Sequence, residues 1–353
     1  MATPTYYTGI DLHKRTAYLT TIDERGQLAG QKKLPCRRRA LRQYFASFET
    51  GARHKAAVET TTGWYWVADL LREEGIELKL AHAKYLKAIS YAKVKTDKVD
   101  SATIAQLLRA DMIPEAHQID PKLRDKRDTL RARLVLVERR SSALQSVQTL
   151  LQKLNVEEVG DLPPLYQKQA RCHQGQADLL KAQIKELERE LHPHLVPDEQ
   201  VQRLLWIPGV GKTVAFTIRL ETGSIERFPS EKRFFSYCRL VPGAADSGRS
   251  RRHKSSKDGN RYLKMAFSHA GVRAVQYYPT IRAFYERKAR EKPEAIARAI
   301  VAKEIARICY HVLRKREAFN GWFKGIPLSR QKKPNWPRRP RSNEPRSVAN
   351  PTA

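Results

Sequence analysis

The chain has 353 residues, and 67 Lys and Arg against 37 Asp and Glu leave it at a formal charge of +30. An excess of that size points to a polyanion partner, because cations that neutralise phosphates release condensed counterions. A 41% apolar content fills real cores and excludes a wholly disordered chain. No long apolar span or lipidation motif offers a membrane as the alternative, so nucleic acid is the expected partner. Cys36, Cys172, Cys238 and Cys309 lie far apart, without the spacing of a disulfide framework or a zinc site. With no signal-peptide-like stretch at the N-terminus, a reducing, cytoplasmic setting is expected.

In chain order, residues 6–12 and 16–22 are β-rich runs separated by a short polar turn, and 27–34 adds a third strand, so the chain opens as an antiparallel meander. Residues 38–48 read as a helix, 54–59 as a strand and 65–73 as a helix closed by Gly75. Residues 76–81 read as a strand, and 101–110 as a helix starting after Asp100. Three meandering strands followed by alternating helices and strands is the order of a ribonuclease-H-like α/β fold.

Leu123, Leu130, Val137, Leu144 and Leu151 then recur every seven residues, with Leu134, Val147 and Leu154 in the same stripe. That is an amphipathic helix with a coiled-coil-like seam. Beyond a break at 160–164, Ala177, Leu180, Ile184, Leu187 and Leu191 form a second stripe ending at Pro193. An antiparallel helical hairpin follows, packed either on its own chain or between two protomers. A second globular part begins near Val201, with a Gly-rich turn at 207–211, a helix over 213–221, a loop over 241–260, and helices over 261–276 and 294–316. From Leu328 the chain is rich in Pro, Arg and Lys and reads as a disordered basic tail with unspecific phosphate affinity.

Two groups of residues carry chemistry. Asp11 closes the β-run Tyr7-Thr8-Gly9-Ile10, and Glu59 ends the apolar run Ala56-Ala57-Val58. Asp97 and Asp100 stand i, i+3 on one face of a starting helix, where first-turn acids suit the helix dipole. One such acid is more often a turn residue or a cap than a ligand. Four that converge in a basic protein suit a hard divalent cation, which takes oxygen ligands and neutralises charge during phosphoryl transfer.

The downstream group begins with Leu204-Leu205-Trp206-Ile207-Pro208-Gly209-Val210-Gly211-Lys212-Thr213, which reads as a helix-hairpin-helix turn. Gly209, Gly211 and Lys212 could cradle a phosphate at a helix N-terminus, and a purely structural tight turn fits the residues equally. Only one residue separates the two glycines, which does not match the nucleotide-binding loop, so no ATP site is expected. Between Ser247 and Lys264 there are seven Lys or Arg against one Asp, among them Arg249, Arg251, Arg252, Lys254, Lys257 and Arg261, with Asn260 closing the loop. A serine in such a loop can attack a phosphate, although on the residues alone it more often hydrogen-bonds one.

These motifs, Gly9-Ile10-Asp11, Val58-Glu59-Thr60-Thr61-Thr62-Gly63-Trp64-Tyr65, Lys95-Thr96-Asp97-Lys98-Val99-Asp100, Ile207-Pro208-Gly209-Val210-Gly211 and Ser247-Gly248 followed by Ser256-Lys257-Asp258-Gly259-Asn260, resemble those of the DEDD transposases of the insertion-sequence one-ten family. The likeness runs from about Tyr7 to about Ala318. It implies a RuvC-like DEDD catalytic domain over 1–120, a coiled-coil helical hairpin over 121–196, a mainly helical C-terminal transposase domain over 197–327, and a basic tail over 328–353.

The resemblance further implies that Asp11, Glu59, Asp97 and Asp100 bind Mg2+ or Mn2+, and that Ser247 attacks DNA to form a covalent phosphoserine link. Donor and target double-stranded DNA, a structured bridge non-coding RNA and a dimer or tetramer assembled through the coiled coil are the implied partners. Each active site would combine the acids of one protomer with the serine of another. One extra residue before Gly63 departs from the commoner family pattern and leaves open what Thr62 and Gly63 do. Two rival readings are a RuvC-like nuclease or junction resolvase using metal-activated water, and a non-catalytic nucleic-acid-binding protein.

Overall fold

β-branched and aromatic residues alternate through Thr5–Leu12 (β1) and Thr16–Ile22 (β2), and the two pair antiparallel, with Leu28–Pro35 (β3) antiparallel to β2. Arg38–Phe45 (α1) returns the chain to Arg53–Glu59 (β4), which lies parallel to β1. Trp64–Glu73 (α2) leads to Glu77–Ala81 (β5), parallel to β4, so the five strands run in the order β3-β2-β1-β4-β5. Ala83–Ile89 (α3) and Asp97–Arg109 (α4) complete this part. The computed structural model describes residues 3–89, 96–247, 250–255 and 258–329, with the backbone alone described over 242–255. It falls into two compact units, Met1–Pro121 and Lys122–Ala353.

Because a strand alternates its faces, the first unit has two cores. On one face Ile10, Leu12, Leu19 and Val58 pack with Leu41 and Phe45 of α1 and Val67, Leu70 and Leu71 of α2. On the other, Ala57 and Ala81 pack under Ile104 and Leu108 of α4 and Leu86 of α3. A fully buried Leu or Ile contributes about 1.5–3 kcal/mol. The buried hydroxyls are paired: Thr8 with Thr21 at 2.8 Å, Thr21 with Tyr44 at 2.7 Å, and Thr20 with Ser101 at 2.7 Å. Burial pushes the Tyr44 phenol up to about 12, which keeps it neutral inside this chain of hydroxyls.

In the second unit, Pro121–Lys153 (α5) and Pro164–Leu191 (α6) form an antiparallel hairpin. Near its turn, Val147 and Leu151 pack with Leu162 and Ala170, and further down Arg133 bonds Glu188 at 2.6 Å. Leu130, Leu191 and Leu195 join the larger core instead. Of the heptad positions, Leu130 and Leu151 are buried while Leu144 is exposed, and Leu165 and Leu179 of α6 are exposed too. The seven-residue stripe therefore does not face its own hairpin along its whole length.

Glu199–Leu205 (α7), Lys212–Thr222 (α8) and Glu231–Tyr237 (α9) follow. Where a loop is expected over 241–260, the backbone instead pairs as an antiparallel ribbon, Pro242–Ser247 (β6) with Ser250–Ser255 (β7), in the register Pro242 to Ser255 and Ser247 to Ser250. The composition, small residues in β6 and basic ones in β7, hides this from hydrophobic periodicity, because neither strand alternates apolar with polar residues. Arg261–Tyr277 (α10), Pro279–Glu291 (α11) and Glu294–Lys315 (α12) surround Phe234, Phe235, Phe267, Val301, Ile305 and Cys309, and a small ribbon of Trp322–Phe323 (β8) and Ile326–Pro327 (β9) closes the described chain. No helix among the described residues is long and apolar enough to cross a membrane.

Candidate active site at the sheet end

Gly9, Asp11 and His13 alternate with Ile10 and Leu12, and since Ile10 and Leu12 lie in the α1–α2 core, Asp11 points to the α4 face. Register places Ile10 beside Val58, so Asp11 and Glu59 are the next residues on adjacent strands. Glu59 alternates with Val58 and shares the face of Ala57, which packs under α4. Two carboxylates thus leave the sheet on one side at the ends of its central parallel pair.

Helix α4 brings the other two. It starts four residues earlier than the apolar pattern suggests, because Thr96 caps it, its side chain accepting from the Val99 N–H at 3.2 Å. Asp97 and Asp100 therefore occupy its first turn. Its close seat on β1 depends on Gly9: a Cβ there would lie 2.0 Å from the Ser101 carbonyl oxygen and 2.5 Å from the Ala105 nitrogen. The Thr20–Ser101 hydrogen bond fixes the same turn to β2.

The His13 Nε2 sits 3.1 Å from Asp11 Oδ2 and 3.2 Å from Asp97 Oδ1, and Lys33 Nζ stands 3.8 Å from Asp97 Oδ2. The Asp11, His13 and Asp97 donor atoms all lie within 4.8 Å of one another. Burial raises the Asp11 carboxyl above its usual value; His13 opposes this, while Asp97 and Asp100 push it further up. A half-buried carboxylate with two further acids close by fits a divalent cation, which would favour its charged form. His13 and Ser101 were not legible as site residues from chemistry-bearing motifs, although the i, i+2 spacing of Asp11 and His13 at the end of a strand was a usable signal for the histidine.

In the second unit the two glycines part company. Gly209 has φ +76°, and a Cβ on it would lie 2.0 Å from the Ala270 carbonyl oxygen, so it lets the turn press on α10. Gly211 caps α8 without a side-chain hydrogen bond, and a Cβ on it meets nothing within 4 Å. Lys212 opens α8, and Trp206, on the same turn, is 73% exposed. The Asn260 amide is used within the fold: Oδ1 accepts from the Tyr262 and Leu263 N–H groups at 2.9 and 3.1 Å, and Nδ2 donates to Glu221 at 2.6 Å. Arg261 pairs with Glu138 at 2.7 Å. Ser247 ends β6 at the tip of the basic ribbon, and the backbones of Arg251, Arg252 and Lys254 run along β7. Arg249, Lys257 and the tail over 330–353 lie outside the described residues.

Carboxylates gathered at the end of a mixed five-stranded sheet, in a strongly basic chain, are an arrangement that suits an enzyme acting on DNA with a divalent metal. Comparison with known proteins narrows the class. Residues 8–156 match the DEDD transposase model of the IS110 group, and residues 201–286 match the model described as transposase, IS116/IS110/IS902 family. The transposase of insertion sequence IS1328 from Yersinia enterocolitica is 27% identical over 276 residues, covering 72% of this chain and 80% of the relative. The transposase of IS1111A from Coxiella burnetii is 25% identical over 288 residues, covering 76% and 77%. The chain belongs to the IS110 family of DEDD transposases, whose catalytic domain implies a ribonuclease-H-like fold.

Proposed function

We propose that this transposase exchanges DNA strands through its acidic cluster and Ser247, directed by a structured bridge RNA. The observation that supports this reading best is the convergence of Asp11, Asp97 and Asp100 at the sheet end, with Glu59 on the same face of the adjacent strand. Asp11, Glu59, Asp97 and Asp100 would hold Mg2+ or Mn2+. A divalent ion there would neutralise charge on the scissile phosphate and on the attacking and leaving oxygens.

The protein's own part is positioning. Gly9, Thr96 and Ser101 set α4 so that its acids meet Asp11. Ser247 is the last residue of β6, paired with Ser250, and the basic residues that follow it in the sequence would attract phosphate. The Ser247 hydroxyl loses its proton to solvent and its Oγ bonds to phosphorus. The P–O3′ bond breaks and the departing 3′ oxygen takes up a proton. A 3′-hydroxyl of the partner strand then attacks the phosphoserine, releasing the serine and conserving the ester, so no nucleotide hydrolysis is needed. Protomers would assemble as a dimer or tetramer through the hairpin, whose Leu144, Leu165 and Leu179 are exposed.

Ser247→Ala should abolish covalent protein–DNA adducts and recombination while leaving nucleic-acid binding intact; normal recombination by this variant would remove the serine from the mechanism. Asp97→Asn with Asp100→Asn should abolish cutting and leave binding, whereas a packaging protein would be unaffected. Structured RNA that copurifies with the protein and is required for activity would support the guided reading.

A further inference from the structure

The hairpin turn between β1 and β2 holds His13 rigidly. Its N–H donates to the Thr16 carbonyl at 2.9 Å, its carbonyl accepts from the Cys36 thiol at 3.2 Å, and the Cys36 N–H donates to the Arg15 carbonyl at 2.9 Å. The imidazole is half-exposed and reaches back over the sheet end. A single atom, Nε2, faces both Asp11 Oδ2 and Asp97 Oδ1, at 3.1 and 3.2 Å. One ring nitrogen carries at most one proton, so it cannot make two full hydrogen bonds from that position. Those two separations match neighbouring ligands of one octahedral ion, whose donors about 2.1 Å from it lie about 3 Å apart, and all three donor atoms lie within 4.8 Å of one another. Lys33 approaches the opposite oxygen of Asp97, Oδ2, and leaves Oδ1 to the imidazole.

We propose that His13 is a nitrogen ligand of the active-site metal, which makes the centre a mixed imidazole–carboxylate site that takes Mn2+ in preference to Mg2+. This rests on the metal-site reading above and refines it. Mg2+ is a hard ion that takes oxygen ligands and keeps its waters, whereas imidazole is a ligand of the first-row transition metals, whose affinity for such donors exceeds that of Mg2+. The turn supplies a donor that an all-oxygen site lacks. Asp11 at the end of β1 and His13 in the turn just after it, together with Asp97 from α4, form a compact three-donor face, with Glu59 and Asp100 beside it.

Full-length protein titrated with Mn2+ and with Mg2+ by calorimetry, and its Mn2+ form examined by pulsed electron paramagnetic resonance, tests this without measuring activity. Expected are tighter binding of Mn2+ and a 14N coupling of the imidazole type, lost in His13→Ala. That variant should weaken Mn2+ binding about tenfold or more while changing Mg2+ binding less than about threefold. Since the nitrogen signal is read on the unaltered protein, a misfolded variant does not obscure the result. Mn2+ bound without a nitrogen coupling, and unaffected by His13→Ala, would overturn the histidine's role and leave the carboxylate site standing. Failure to bind either ion, or binding unchanged by Asp11→Asn, would overturn the site as a whole.

Discussion

Gly9 shows how one missing side chain positions an acidic cluster. With a Cβ placed 2.0 Å from the Ser101 carbonyl, Gly9→Ala must push α4 away by roughly an ångström or more, since close-packed backbone cannot absorb the overlap. Strand-exchange activity should fall about 100-fold, as misplacements of that size do in positioned sites, and urea unfolding should show a loss of about 1–3 kcal/mol. The Asp11 carboxyl makes a pH prediction of definite sign. Its folded value is raised, above all by burial, so the folded chain holds that proton more tightly than the unfolded one, and stability falls as pH rises through the carboxylate range. Metal-free Asp11→Asn should therefore be more stable than the wild type at pH 7. The difference should shrink in acid, and thermal melts across pH would read it. Of the two turn glycines, Gly211→Ala should be tolerated and Gly209→Ala should lower the melting temperature, because only Gly209 has a left-handed φ and a backbone neighbour in the way.

At the scale of elements, a buried polar lock joins α5, α8 and α10. Glu221 is 3% exposed and accepts from Nε and Nη2 of Arg131, at 2.5 and 2.6 Å, as well as from the Asn260 amide. Asn260 in turn caps α10 directly after the ribbon that carries Ser247. Removing Glu221 leaves the Asn260 amide without its acceptor and Arg131, partly exposed, with Asp128 at 3.8 Å as its one remaining acid among the described residues, so Glu221→Ala should cost about 1–3 kcal/mol in denaturant unfolding. Replacing Glu221 and Arg131 together with apolar residues should recover much of that loss. The same lock explains why Asn260, read from sequence as a nucleic-acid contact, has its amide occupied inside the protein.

For the whole molecule, the +30 charge governs binding more than it governs fold. Affinity for any DNA should drop steeply with salt, by about 10³–10⁵ between 50 and 200 mM if 6–10 phosphates are contacted. Residues 330–353 contribute seven Lys or Arg and one Glu, so deleting them should weaken binding across all sequences and flatten the salt slope, with catalysis on bound substrate retained. Fluorescence titration of duplex DNA at graded salt measures both effects. A truncation that abolished cutting at saturating DNA would give the tail more than an electrostatic part.

The sequence by itself determined the five strands and the helices α1 and α2 of the first unit, because their apolar periodicity is strong, but it missed the short α3 and the first turn of α4. It also singled out the four acids, because each closes or opens such an element. Residues 16–22 are read as a strand and found as one, and Trp64–Glu73 differs from its reading by one residue. Tertiary structure alone decided what depends on approach rather than on periodicity. It seated α4 on Gly9 through a contact 92 positions away in the chain, brought His13 against Asp97, and paired the run around Ser247 into a ribbon with no apolar–polar alternation to betray it. It also separated Gly209, pressed against α10, from Gly211, open at a helix end, although the two are adjacent members of one motif. Side-chain spacing encodes which face a residue takes, but which distant backbone then meets that face is settled only when the layers pack.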